Sequence, residues 1–216
     1  MIKAVIFDMD GTMLDTEHIK EEGLKYAGEC LDVNIDNQTL SQIRGTNDKL
    51  LRKILSEKFE GLDIKKLLNI REKYVETYFE TNPIEIKKGL LELLTFLKDN
   101  GYKMAVASSS QIDVIKKYLK KVEIFDYFDI IMGGDLVTKG KPDPEIYLKS
   151  AEQLGLSKEE CIGVEDSANG VLSIYKAGMK PIMIPDLEET SKEIENKIYA
   201  KLESLSDIIP LLKEMK

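Results

Sequence analysis

The residues best suited to chemistry stand at the beginning of the chain, where an apolar run ends in two carboxylates. Asp8 and Asp10 are separated by one residue and are followed by Gly11 and Thr12. Two neighbouring carboxylates repel each other, so this arrangement needs a cation to neutralise it. Gly11 allows a sharp turn of the backbone, which lets both acids face one crevice. The segment therefore indicates a metal site with a reactive carboxylate beside it.

Three further polar segments follow apolar runs and supply the remaining groups of such a site. They are Ser108-Ser109-Ser110, the segment 139–144 that contains Lys139 and Lys141, and Glu165-Asp166. Oxygen ligands favour Mg²⁺, which proteins usually hold through a few carboxylates, waters and a substrate phosphate. The residues thus predict a Mg²⁺ site whose candidate ligands are Asp8, Asp10, Glu165 and Asp166.

A phosphoryl group at this site gives each of the other residues a role. Asp8 can attack phosphorus as a nucleophile. Asp10 can protonate the leaving oxygen and later deprotonate a water. The Ser108 hydroxyl and the backbone N–H of Ser109 are expected to hold phosphoryl oxygens, and Lys141 is expected to offset the remaining negative charge.

Five short apolar runs predict the strands that must position these groups. They are apolar throughout, which is typical of a parallel sheet covered on both faces, and they comprise residues 4–7, 104–107, 130–132, 161–164 and 181–184. Helical patterns lie between them, so the sequence predicts an α/β fold with a doubly wound parallel sheet. Ligands of such sheets bind beyond the carboxyl ends of the strands, where all of the polar segments stand.

One stretch, residues 16–81, interrupts this alternation with helical patterns alone. The sequence therefore predicts a core domain of residues 1–15 and 82–216 and a helical domain of residues 16–81, which is inserted after the first strand. We call the inserted domain the cap. From Asp186 onward the chain is acidic and then helical in pattern, and it carries no chemical motif.

Several residues near the cap, and one lysine outside it, are left open by the sequence. Asp15, Glu17 and Arg44 are candidates for contact with a substrate. His18, the single histidine, is either a general acid or an ordinary, partly exposed helix residue. Lys139 stays open as the alternative to the lysine two residues after it.

The composition of the 216 residues limits the class of protein and its partners. Hydrophobic residues make up 43 % and charged residues 32 %, as in globular proteins, and the net charge of -8 argues against a nucleic-acid partner. The longest apolar runs are too short to cross a bilayer and no signal-peptide pattern is present, so we expect a cytoplasmic protein without a membrane partner. Cys30 and Cys161 are expected to be reduced, mostly buried thiols.

In their order along the chain, these motifs resemble those of the haloacid dehalogenase superfamily. Its phosphotransferases have an Asp-x-Asp first motif, a Ser/Thr second motif, a lysine third motif and an acidic fourth motif, which match residues 8–12, Ser108, Lys141 and Glu165-Asp166 here. The inserted helices look like the α-helical cap of the branch that contains β-phosphoglucomutase and small sugar-phosphate phosphatases. The resemblance covers essentially the whole chain.

The resemblance implies a Mg²⁺-dependent phosphatase that acts on a small phosphorylated metabolite, with a sugar phosphate as the expected substrate. It implies Mg²⁺ bound by Asp8, the main-chain carbonyl of Asp10, and Asp166, and a phosphoaspartyl intermediate on Asp8. The superfamily's dehalogenases use no acid at the position of Asp10, so its presence favours phosphate chemistry. Folds of this kind work well as monomers, and a monomer is expected.

Two alternatives to a phosphatase remain open. A β-phosphoglucomutase-like enzyme would pass the phosphoryl group to a sugar hydroxyl, but such mutases have a histidine where Lys20 stands, and His18 is two positions early. They also commonly replace the threonine that this chain keeps at Thr12. Receiver domains phosphorylate an aspartate for signalling, but their aspartate follows a later strand and they lack a cap.

Overall fold

Strands and helices alternate along the chain outside residues 16–81. The computed structural model describes residues 1–46, 48–187 and 191–215. Within these residues the strands are β1 (Ala4–Phe7), β2 (Lys103–Ala107), β3 (Ile130–Met132), β4 (Cys161–Glu165), β5 (Lys180–Met183) and β6 (Ala200–Lys201). The α-helices of the same residues are α1 (Glu17–Glu29), α2 (Asn37–Ile43), α3 (Asp48–Lys58), α4 (Ile64–Thr81), α5 (Leu90–Asp99), α6 (Ile112–Lys121), α7 (Glu145–Leu154), α8 (Ala168–Lys176), α9 (Lys192–Glu195) and α10 (Ile208–Glu214).

The strands form one parallel sheet with the order β3-β2-β1-β4-β5-β6. β1 lies at the centre, where Ala4 pairs with Lys103 of β2 on one side and with Cys161 of β4 on the other. The chain order reverses on the two sides of β1, so the carboxyl ends of β1, β2 and β4 meet at one edge. The predicted α/β fold with a doubly wound parallel sheet is confirmed.

Apolar side chains cover both faces of this sheet, which explains why the strands read as continuous hydrophobic runs. All four residues of β1 are fully buried. Val5 and Phe7 belong to the larger cluster with α5 and α6, whereas Ala4 and Ile6 pack on the opposite face with α7. This packing fixes the direction in which the first polar loop leaves the sheet.

The cap consists of α1 to α4 and has a hydrophobic cluster of its own, which includes Leu24, Leu40, Leu55 and Leu67. Its α1 and α4 also reach the main core, where Ile19, Val75 and Phe79 join the cluster that contains Phe7. The inserted helical cap is therefore confirmed, while its limits at residues 16 and 81 stay a prediction.

Two short elements and one cysteine differ from the expectations. β6 has only two residues, Ala200 and Lys201, which is too short for any periodic pattern to reveal. α2 has seven residues and only two of them are buried, so it lacks an apolar face of readable length. Cys161 is buried as expected, but Cys30 at the end of α1 is exposed, and the prediction of burial was wrong for that residue.

Candidate active site

The loop after β1 brings Asp8 and Asp10 into one cavity at the carboxyl edge of the sheet. Gly11 has a φ of 84°, and a Cβ at this position would overlap the Asp166 carboxylate. Thr12 donates a hydrogen bond of 2.8 Å from its hydroxyl to Asp166 Oδ1. The loop therefore needs glycine at this point, because only glycine allows both this conformation and this close approach.

Asp8, Glu165 and Asp166 form a cluster in which one carboxylate oxygen of each lies within 4.8 Å of the others. Lys141 enters the same cluster, with its Nζ 2.6 Å from Asp8 Oδ1 and 2.6 Å from Glu165 Oε1. The lysine side chain is only 1 % exposed. Leaving one partner of such a buried ion pair uncompensated costs about 3–5 kcal/mol, so the lysine and the two acids hold each other in place.

Glu165 is the most completely hydrogen-bonded acid of the cluster. Its Oε2 accepts the backbone N–H groups of Asp166 and Ser167, both at 3.1 Å, and the Ser167 hydroxyl at 3.0 Å. Its Oε1 accepts a bond from the Tyr147 hydroxyl at 3.2 Å as well as the bond from Lys141. Glu165 is therefore better suited to orienting Lys141 than to offering a vacant oxygen.

Burial and crowding of negative charge disturb the two other acids. Burial, Glu165 and Asp10 raise the pKa of Asp8 to about 8, although Lys141 acts in the opposite direction. Burial first, and then Glu165 and Asp8, raise the pKa of Asp166 well above its usual range. One lysine thus does not neutralise the cluster, which is the situation that a bound cation corrects.

The donor atoms of this cluster fit a divalent cation that prefers oxygen. Asp8 Oδ2 and Asp166 Oδ2 make no hydrogen bond within the described parts of the chain, while the other oxygen of each acid accepts one. Carboxylate oxygens are ligands of Mg²⁺, Ca²⁺ and Mn²⁺ rather than of soft metals. The residues present therefore could hold a metal ion of this class.

Asp10 faces away from the acid cluster, toward the cap and the loop after β2. Its Oδ1 accepts the Thr16 hydroxyl at 2.6 Å, and its Oδ2 lies 2.7 Å from Lys20 Nζ and accepts the Ser110 hydroxyl at 2.8 Å. Burial alone would raise the pKa of this carboxyl, but Lys20 and these hydroxyl donors lower it below the usual value. Asp10 is thus an ionised carboxylate held beside the nucleophile candidate.

The serines after β2 divide their contacts between the core and the cap. The Ser110 hydroxyl contacts Asp10, while Ser108 Oγ accepts the backbone N–H of Ser110 at 3.1 Å and lies 3.4 Å from Asp10 Oδ2. The Ser109 hydroxyl donates to the backbone oxygen of Gly45 in the cap at 3.1 Å. Ser108 and Ser109 both line the cavity, as does Ser110, which was not singled out from the sequence.

The two lysines of the segment after β3 lie in clearly different environments. Lys141 is buried in the acid cluster, whereas the Lys139 side chain is 74 % exposed and lies 3.8 Å from Asp143. Glu145 accepts the backbone N–H groups of Thr138 and Lys139 at 3.1 and 2.8 Å and thereby fixes the segment that leads to Lys141. The geometry favours Lys141 over its alternative.

A cavity of about 470 Å³ lies between these core residues and the cap. Among the residues suggested from the sequence, Glu17 and Arg44 line it. Arg44 Nε is paired with Glu21 Oε1 at 2.5 Å. The volume is in the range of sites for small molecules.

Asp15 and His18 belong to a different surface. Asp15 Oδ1 lies 2.9 Å from Lys87 Nζ and 3.3 Å from His18 Nδ1. Lys87 Nζ is also 2.6 Å from Asp186 Oδ1, so the acid and the lysine join the beginning of the cap to the segment after β5. Asp15 and His18 are not among the residues that line the cavity. The structure therefore does not bring these two residues together with the other candidates.

Sequence reasoning missed four cationic residues that line the cavity, Lys20, Arg71, Lys117 and Lys121. Lys20 was noticed only as a departure from the mutase pattern, although it lies one helical turn after Glu17 on the same face of α1. Arg71 stands in the middle of α4 in a stretch rich in charged residues, and no local signal distinguishes it from solvent-facing neighbours.

Comparison with known proteins identifies the family. The family described as haloacid dehalogenase-like hydrolase matches residues 5–184, and the chain belongs to this family. The recognition of this superfamily from the sequence and the prediction of a hydrolase of this type are confirmed.

Relatives and solved structures agree with this assignment over nearly the full length of the chain. The phosphorylated carbohydrates phosphatase of Thermotoga maritima is 31 % identical over 99 % of this chain and 100 % of the relative. The beta-phosphoglucomutase of Bacillus subtilis is 31 % identical over 82 % of this chain and 81 % of the relative. The crystal structure of beta-phosphoglucomutase from Clostridium difficile superposes with a TM-score of 0.84 at 25 % identity and covers 99 % of this chain and 96 % of that structure.

No helix within the described residues combines the length and the apolar character that crossing a membrane requires. The expectations of a cytoplasmic location, of a monomer and of no nucleic-acid partner stay predictions.

Proposed function

We propose that this chain is a Mg²⁺-dependent phosphatase that transfers the phosphoryl group of a small phosphorylated metabolite, a sugar phosphate in the simplest case, to water through Asp8. The observation that carries the proposal is the position of the Asp8 carboxylate, which contacts the Lys141 ammonium and clusters with Asp166, while Lys20 holds the carboxylate of Asp10 separately. The relatives named as phosphatases support the reaction class.

Asp8 and Asp166 would hold the metal ion, together with the main-chain carbonyl of Asp10. Glu165 would complete the acid cluster around the metal ion and orient Lys141. When bound, Mg²⁺ would neutralise the carboxylates and stabilise negative charge on the phosphoryl oxygens. Lys141 offsets the charge that remains, and Ser108 with the backbone N–H of Ser109 binds the phosphoryl oxygens.

The first half of the reaction forms a bond between an Asp8 carboxylate oxygen and phosphorus while the bond from phosphorus to the sugar oxygen breaks. This step uses the protonated form of Asp10, which gives its proton to that leaving oxygen so that the alcohol departs uncharged, and the water of the second half restores the proton. The product on the protein is an acyl phosphate of Asp8. Asp10 is suited to this step because Thr16, Lys20 and Ser110 fix the direction of its carboxylate.

The second half transfers the phosphoryl group from Asp8 to water. The Asp10 carboxylate takes a proton from the water, whose oxygen attacks phosphorus, and the bond to Asp8 breaks with release of phosphate. Lys20 favours the ionised form of Asp10 that this step requires. The cap contacts the loop after β2 through Ser109 and Gly45, and we propose that it limits the entry of bulk water and selects the leaving group.

The test is phosphate release from a panel of sugar phosphates and other small phosphomonoesters, with and without Mg²⁺. The panel includes β-glucose 1-phosphate, which is also followed for conversion to glucose 6-phosphate. Release of phosphate that depends on Mg²⁺ is the expected result. Conversion to glucose 6-phosphate without release would show a mutase and would contradict the proposed transfer to water.

A further inference from the structure

Arg71 is a cation on the cap wall of the cavity that makes no hydrogen bond and no close ion pair with the described residues. It lies on α4 and lines the cavity. Its Nε is buried without a hydrogen-bond partner. Within the described residues, the guanidinium takes part in no hydrogen bond and in no ion pair shorter than 4.0 Å. A guanidinium has five N–H donors, so this arrangement leaves most of its binding capacity unused.

The other basic side chains that line the cavity are all engaged. Lys20 pairs with Asp10, Arg44 with Glu21 and Lys117 with Glu76, and Lys121 donates to the backbone oxygens of Phe79 and Asn82. Arg71 is thus the exception in this part of the described chain. The charge of this partly buried side chain interacts with Glu17 at longer range, but its N–H donors are not hydrogen-bonded, and a ligand of opposite charge would satisfy them.

We infer that Arg71 binds a carboxylate of the substrate, at the end remote from the phosphoryl group that Asp8 attacks. This inference rests on the proposed function, because it assigns the second contact of the same substrate. Asp8 belongs to the core and Arg71 to the cap, so one ligand that fills the cavity reaches both. A phosphorylated sugar acid or hydroxy acid has the required chemistry, with an anionic group at each end.

The charges around Arg71 favour a carboxylate over a second phosphate. Glu72 and Glu76 line the cavity from the same helix, and Glu17 lines it from α1. A carboxylate brings one negative charge, which the guanidinium balances, whereas a second phosphate monoester brings nearly two. The planar fork of a guanidinium also matches a carboxylate through two parallel hydrogen bonds.

The test compares binding of matched ligands to an Asp8→Asn background by calorimetry in the presence of Mg²⁺. The pairs are 6-phosphogluconate with sorbitol 6-phosphate, and 3-phosphoglycerate with glycerol 3-phosphate, which differ only in a carboxylate against a hydroxymethyl group. We expect the carboxylate ligand of at least one pair to bind about 10-fold to 100-fold more tightly, as a charge-assisted bidentate contact would give.

The second step adds Arg71→Gln, Arg71→Lys or Lys73→Gln to the same background. Arg71→Gln should remove the preference for the carboxylate, and Arg71→Lys should retain part of it, because it keeps the charge without the fork. Lys73→Gln removes the same charge from an exposed position of the same helix, and should leave the preference intact. Thermal midpoints of the variants verify that each is folded.

The outcomes separate the inference from the proposed function. Equal binding within both pairs, or a preference that survives Arg71→Gln, overturns the inference while the proposed function stands. Tighter, Arg71-dependent binding of fructose 1,6-bisphosphate than of either carboxylate ligand would assign a phosphate to the site and overturn the carboxylate. Failure of every ligand to bind, together with no phosphate release from the monoester panel, would overturn both.

Discussion

At the scale of single residues, the site keeps its two key carboxylates in opposite electrostatic states. Asp8 lies in the crowded acid cluster, where burial and like charge raise its pKa to about 8 without a metal ion. Asp10 is held by Lys20 and by hydroxyl donors, which lower its pKa. A pair of acids with environments this different is suited to two different roles, one as nucleophile and one as acid and base.

Asp8→Asn is expected to abolish turnover without loss of the fold. An amide cannot form the acyl phosphate, so kcat should fall by at least about 10⁴-fold, as with other covalent catalysts. The same change removes a carboxylate from a repulsive cluster, so the thermal midpoint in the absence of divalent cations should equal or exceed that of the unmodified chain. Near-normal phosphate release by the variant would show that another residue is the nucleophile.

Lys20→Met is expected to move the acidic limb of the pH profile of kcat to higher pH. Lys20 holds the pKa of Asp10 below its usual value, so the ionised form that activates water persists to lower pH. Without the lysine, burial raises the pKa of Asp10, and the carboxylate becomes protonated at a higher pH.

The matched control is Lys25→Met, which removes a lysine from an exposed position of the same helix and should leave the profile in place. An unchanged acidic limb in Lys20→Met would mean that Asp10 is not the base in the step that limits kcat.

At the scale of elements, the first five strands were predictable because each is dominated by a short, continuous apolar run between polar loops. Most of the site was also predictable from the carboxyl ends of β1, β2 and β4, because Asp8, Ser108 and Glu165 all follow or end a buried strand. β6 and α2 were not predictable, because pairing with β5 and packing in the cap decide them rather than any local pattern. Arg71 and Lys20 likewise depend on how the cap sits over the core.

The beginning of α8 is the element most sensitive to added volume. Gly170 lies one turn into the helix, where its N–H is bonded to the Ser167 hydroxyl at 3.1 Å, and a Cβ there would overlap the Glu165 carboxylate. Gly170→Ala is therefore expected to destabilise the fold by about 1–3 kcal/mol and to lower activity, because the displaced Glu165 releases Lys141. Urea unfolding and phosphate release measure the two effects.

Gly61→Ala provides the comparison for that substitution. Gly61 has a φ of 81° and no neighbour within 4 Å, so the added methyl group meets only the backbone penalty of about 1–2 kcal/mol. Activity should be unaffected. Equal activity losses in the two variants would show that the contact with Glu165 does not control the site.

At the scale of the whole molecule, binding of a metal ion should raise the thermal midpoint of unfolding. A ligand that binds only the folded chain stabilises it by about 2.7 kcal/mol at 100 times its Kd, which for a chain of this size raises the thermal midpoint by about 5–10 °C. Asp166→Asn should lose most of this shift, and Asp126→Asn, on the surface, should keep it. Equal shifts in both variants would contradict a metal site at Asp166.

The central position of β1 has a consequence for the folding of the chain during its synthesis. Its neighbours in the sheet are β2 and β4, and the hydrogen bond from Thr12 to Asp166 joins residues 154 positions apart. Contacts of such long range form slowly, because the intervening chain must be ordered first. During synthesis on the ribosome, the first acidic loop therefore emerges long before its partners, and a nascent chain that ends before β4 has no phosphoryl-transfer site.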